Sequence, residues 1–148
     1  KLKEKDFKEL STKFFHDYNE STMYPTFGEF FKKVCEDRGI TESMFCRATK
    51  LDGSSFTNYK SSKPSPSLVS LIAFGIYFKI STNIIEKLIR LSGCYLKEND
   101  KTHMAYSFIL ENLKGYPIAY CNKVLELFGI EEKDFLQTQK KKRKRKKV

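Results

Sequence analysis

Little in this chain is spaced for bond-making chemistry. The two histidines, His16 and His103, lie far apart, with no carboxylate or cysteine at a telling spacing. Cys35, Cys46, Cys94 and Cys121 form no C-x-x-C pair and no metal-ligand pattern. They read as buried free thiols in a reducing compartment. No Gly-rich phosphate loop, G-x-S-x-G elbow or H-E-x-x-H motif occurs. The acid pair Glu131-Glu132 follows Gly129 at a helix start, where the helix dipole accounts for it. The expectation is a non-enzyme with no metal and no cofactor. The chemistry the chain does offer is electrostatic: Lys140, Lys141, Lys142, Arg143, Lys144, Arg145, Lys146 and Lys147 are consecutive cations. Such a run cannot fold alone, and it suits nonspecific contact with nucleic-acid phosphates.

That run accounts for most of the charge. Over 148 residues, 28 Lys and Arg against 18 Asp and Glu give +10. Without the run, 20 cations face 18 anions, so the body is nearly neutral. The chain holds 13 Phe and 8 Tyr, enough large apolar side chains to bury a core. The longest apolar run, from Leu71 to Phe78, is too short to cross a bilayer. The first residues, Lys-Leu-Lys-Glu-Lys-Asp, lack the apolar stretch of a signal peptide, so neither secretion nor membrane spanning is expected. The first residue is not Met, and some N-terminal trimming is expected.

The elements that must position any site are helices. Leu2, Phe7, Leu10, Phe14, Phe15 and Tyr18 recur at helical spacing, predicting an amphipathic helix that packs on the body or on a second subunit. Tyr24-Pro25 ends it. Thr26-Phe27-Gly28-Glu29 reads as a capping box, with Gly39 as the stop. Thr41 caps a short helix to about Thr49, and another runs from about Ser54 to Ser61. Ser65 as cap and Pro66 as first residue open a helix to Phe78. Ser81 caps a helix closed by Gly93, Asn99 one of about fifteen residues to Lys114, and Pro117 starts one ended by Gly129. A helical turn follows near 131–136. No stretch alternates as a strand does, so the fold class expected is all-α.

From Ile40 to Ser81 the chain reads ITESMFCRATKLDGSSFTNYKSSKPSPSLVSLIAFGIYFKIS. Phe45 stands at an inward position of the first short helix, and Cys46 where a small residue lets two helices approach. Leu51 precedes the second helix, whose inward positions are Phe56 and Tyr59, and Pro66-Ser67-Leu68 leads into the next. This pattern resembles the phage-repressor-like (XRE-type) helix-turn-helix family over Phe27 to about Gly93. Gly93-Cys94-Tyr95-Leu96, Tyr106-Ser107-Phe108-Ile109 and Cys121-Asn122-Lys123-Val124-Leu125 are similar to the C-terminal helical extension of some bacterial members.

The resemblance implies a five-helix lambda-repressor-like domain over 26–93. An N-terminal helix over 1–25, a helical extension over 94–136 and a disordered basic tail over 137–148 complete the expected organisation. It implies a cytoplasmic, nucleoid-associated transcriptional regulator of bacterial or phage type that binds double-stranded DNA as a homodimer; in a eukaryote the tail would resemble a nuclear-localisation signal. Family members set two recognition helices about 34 Å apart in successive major grooves. Base contacts would fall to Ser54, Thr57, Asn58 and Ser61, with Asn58 best suited to adenine. Phosphates would fall to Lys50, Lys60, Lys63 and the amides at the Thr41 helix start. Three departures stand out. Lys50 replaces the usual turn glycine, which costs of order 1 kcal/mol and is expected to reshape the turn. The outward face of the second helix has no Arg or Gln, and Asp52 brings a negative charge near the phosphate path. The alternative is a helix-turn-helix-derived module that binds a protein partner, an anti-repressor or phage-defence component.

Overall fold

The computed structural model describes residues 2–62 and 66–138; the Ser65 cap, Lys63 and Lys140–Lys147 fall outside them. Among the described residues the chain is all-α, with eight helices and no strand. They are α1 (Glu4–Met23), α2 (Phe27–Arg38), α3 (Glu42–Thr49), α4 (Gly53–Lys60), α5 (Leu68–Tyr77), α6 (Thr82–Leu91), α7 (Lys101–Asn112) and α8 (Ile118–Leu127). A short 3-10 turn, Glu132–Asp134, follows.

Local chemistry sets most of the boundaries. Thr26 Oγ1 accepts the Glu29 amide at 3.2 Å, and Gly39 ends α2 in the left-handed region at φ 65°. Two expected caps move. The α5 cap is Ser67, whose Oγ accepts the Ser70 amide at 3.3 Å, so the helix begins at Leu68. Pro66 is buried ahead of it instead of forming the first turn. Ser67 directly precedes the apolar run that α5 must bury, and this selects it over a cap two residues earlier. In α7 the cap is Asp100 and not Asn99: its Oδ1 accepts the His103 amide at 3.0 Å. A carboxylate gains more than an amide from the positive end of a helix. That bond holds the Asp100 carboxyl below its ordinary pKa. The helix stops at Asn112, short of the expected Lys114.

The core is one continuous cluster from Phe27 to Leu136. Nearly every side chain of α5 between Ser70 and Ile76 is buried, as befits a helix apolar all round, and α3, α6, α7 and α8 pack about it. Phe31 of α2 lies at the aromatic centre. Its ring centroid is 5.3–5.9 Å from those of Phe27, Phe45, Phe56, Tyr59 and Phe74, mostly edge to face. Four helices, α2 to α5, thus share one aromatic contact set.

The first helix is different. Phe7, Leu10, Phe14, Phe15 and Tyr18 remain 53–58% exposed. No other helix packs closely against α1. Tyr24, just beyond its end, reaches the body, with its ring 6.2 Å from that of Phe30. The apolar stripe therefore does not pack on the rest of this chain.

Candidate nucleic-acid interface

The segment from Thr41 to Ser61 is two eight-residue helices joined by a tight turn. Thr41 Oγ1 accepts the Met44 amide at 3.3 Å and so starts α3. Lys50 ends it at φ 61°, ψ 23°, with its amide donating to the Cys46 carbonyl at 2.8 Å. The expected reshaping of the turn does not occur; Lys50 adopts the left-handed conformation a glycine would have taken. Thr49, buried, helps to hold it there. Its hydroxyl donates to the Phe45 carbonyl at 2.9 Å, and its Oγ1 accepts the Leu51 amide at 3.2 Å. Sequence reading did not single out Thr49, because a threonine at a helix end carries no signal of its own.

Phe56 and Tyr59 turn inward from α4 at 6% exposure each, with Phe45 and Phe31 beneath them. Burial pushes the Tyr59 hydroxyl pKa up to about 12, so this ring stays neutral. Gly28 lets the α4 end come close: a Cβ there would meet the Lys60 carbonyl oxygen, and its carbon at 2.9 Å. The Gly28 amide donates to Ser62 Oγ at 2.7 Å, tying α2 to the residues that follow α4.

Outward from α4 stand Ser54, Thr57 and Ser61, all exposed, with Asn58 half-buried beside them. The structure thus brings the four candidate base-contacting residues onto one short helix and its cap. Two of their hydroxyl protons are already engaged. Ser54 donates to Asp52 Oδ1 at 2.8 Å, and Ser61 donates to the Thr57 and Asn58 carbonyls at 3.2 Å. Those oxygens can still accept a bond. Among the phosphate candidates, Lys50 and Thr41 are exposed at the two ends of α3. Lys60 is exposed, with its Nζ 4.5 Å from the centroid of the Phe56 ring.

Anions share this surface. Asp52 caps α4 by position, but its carboxylate takes the Ser54 and Ser55 hydroxyls, the latter at 3.4 Å. The Glu42 carboxylate lies against Gly53 so closely that a Cβ there would collide with it. Two carboxylates therefore stand at the positive end of α4. On the other side, Lys32, Lys33 and Lys60 line a shallow depression with Glu29 and Glu36. Lys33 there pairs with Asp37 at 3.0 Å, which holds its ammonium pKa above the ordinary value.

The C-terminal residues fold back onto α3. Asn122 on α8 clasps Leu136 in both directions, accepting its amide at 2.8 Å and donating to its carbonyl at 3.1 Å. Tyr106 donates to the Asp134 carbonyl at 2.7 Å. Gln137 then donates to the Ala48 carbonyl at 2.6 Å and to that of Arg47 at 3.4 Å, just before the turn at Lys50. No local pattern announces these contacts, which span 14 to 90 residues.

Cys35 and Cys121 are buried free thiols, their pKa values pushed up by burial to about 12 and about 11. Cys46 and Cys94 form no disulfide and are only half-buried, so the expectation of burial holds for two of the four. His103 is structural: Nδ1 accepts the Lys97 amide at 3.0 Å. Among the described residues no three His, Cys, Asp or Glu side chains converge as metal ligands, and no helix is long and apolar enough to cross a membrane. No protein-family model, curated protein or solved structure matches this chain.

Proposed function

We propose that this protein is a sequence-reading DNA-binding regulator of the phage-repressor-like type, with α3, the Lys50 turn and α4 as its helix-turn-helix and α2–α6 as its five-helix domain. The observation that carries this reading is the division of α4. Phe56 and Tyr59 lock it into the core, while Ser54, Thr57, Asn58 and Ser61 face outward together. In this reading the uncommitted amide of Asn58 contacts adenine, and the serine and threonine oxygens add single bonds. Lys50 and Lys60 hold phosphates, and the exposed start of α3 at Thr41 anchors another. The Gln137 clasp beside the turn supports a shared grip, since the basic run follows in sequence from a residue held against α3. The tail adds nonspecific phosphate contacts without reading sequence.

A second reading has an observation of its own. Glu42 and Asp52 put two carboxylates at the N-terminal end of α4, where a phosphate path would run. That end suits a basic protein surface better than DNA, as expected of a helix-turn-helix converted to protein binding.

The deciding experiment titrates a tail-deleted chain, residues 1–139, into randomised duplex DNA by fluorescence anisotropy and selects the bound fraction. Recovery of an inverted repeat is expected, lost on Asn58→Ala/Lys60→Ala. No duplex binding at low salt would instead leave the acidic α4 terminus and a protein partner. In the full chain, log K against log salt should be steeper by about 0.9 for each phosphate the tail neutralises.

A further inference from the structure

The exposed face of α1 points to a partner of definite chemistry: we propose that it is the seam of a homodimer, each copy covering the other's Phe7, Leu10, Phe14, Phe15 and Tyr18. This does not rest on DNA binding. Three observations carry it.

The first is size. Five side chains at 53–58% exposure leave roughly 100 Å² each, since a large aromatic carries about 150–250 Å². The stripe is therefore roughly 500 Å², at the upper end of what a monomer leaves bare. Two copies face to face bury roughly 1,000 Å², the threshold of a specific interface, before their polar shoulders are counted.

The second is pattern. At 100° per residue, the five occupy one band along α1, and Phe14 stacks against Tyr18 one turn away at 6.3 Å. The exposed rings around α7 and α8 do not form such a band. Phe108 meets Phe128, and Tyr116 meets Tyr120, as separate pairs.

The third is charge, which tells against a membrane occupant. An anionic lipid surface is a poorer fit, because residues 1–25 carry five cations and five anions and offer no net attraction.

Analytical ultracentrifugation of the nuclease-treated full chain, at moderate salt and up to about 100 µM, tests this. The wild type should dimerise. Phe14→Glu/Tyr18→Glu should weaken the dimer tenfold or more while, in dilute protein, the body melts at an unchanged temperature, because α1 contributes little to the core. A monomeric wild type overturns the proposal, as does a dimer indifferent to Phe14→Glu/Tyr18→Glu. Pelleting of the monomer with phosphatidylcholine–phosphatidylglycerol vesicles would assign the face to membrane instead.

Discussion

Two sets of aromatic residues in this protein look alike in sequence and end in opposite surroundings. Phe27, Phe31, Phe45, Phe56, Tyr59 and Phe74 sit at helical spacing, and all are within 6% of complete burial. Phe7, Phe14, Phe15 and Tyr18 have the same spacing and stay more than half exposed. Periodicity identifies the apolar face of a helix. It says nothing about what covers that face, because coverage is settled by elements distant in sequence or by another molecule. The difference also marks what each set does: the first holds α4 in place, and the second faces solvent.

Removing the central ring should have the largest effect. Phe31→Ala deletes a fully buried side chain in contact with five other rings. A cost of about 3–5 kcal/mol is expected, enough to unfold a marginal domain. Urea denaturation followed by circular dichroism measures it. A loss under about 1 kcal/mol would mean that the cavity collapses and that the aromatic set does not bind α2 to α4 as described.

The close approach that seats α4 comes next. Gly28→Ala forces the Lys60 carbonyl and Ser62 hydroxyl away from α2, and two backbones must shift. A destabilisation of about 1–3 kcal/mol is expected, with α4 displaced. On the proposed function, DNA affinity should fall more than stability alone explains. The same denaturation series, run beside anisotropy, separates the two losses.

These two sites show what could be read in advance. Caps and stops were legible wherever a single residue and its near neighbours decide them: Thr26, Gly39, Thr41, Pro117 and Gly129 behave as their chemistry dictates. Where two capping residues compete, as at Asn99-Asp100, the outcome turns on which side chain reaches the amide three residues on. The Gly28–Lys60 approach, the Glu42–Gly53 apposition and the Gln137–Ala48 clasp were not legible, since each joins segments that only the fold brings together. The outward set on α4 was legible, because two inward residues three apart fix the register of a short helix. The engagement of Ser54 with Asp52 was not.

The turn gives a smaller effect of opposite sign. Lys50 holds φ 61° without being glycine, so Lys50→Gly should stabilise the chain by about 1 kcal/mol. It should also remove one candidate phosphate contact. Stability up and DNA affinity down, with a salt slope shallower by about 0.9 for each copy bound, is the expected pair of results. Stability up with affinity unchanged would detach Lys50 from the interface.

The smallest stability effect should come from the bare stripe, and it sharpens the contrast most. Phe14→Ala, measured on dilute protein, should move the body's unfolding free energy by no more than about 0.5 kcal/mol, like any surface substitution. The chemistry removed resembles that of Phe31→Ala, so only coverage differs between the two. As protein concentration rises, the variants should diverge again. A ligand that binds only the folded state raises apparent stability by mass action, and a second copy is such a ligand. Wild-type melting temperature should therefore climb with concentration, and that of Phe14→Ala should climb less. A flat wild-type series would leave α1 outside any coupling to folding.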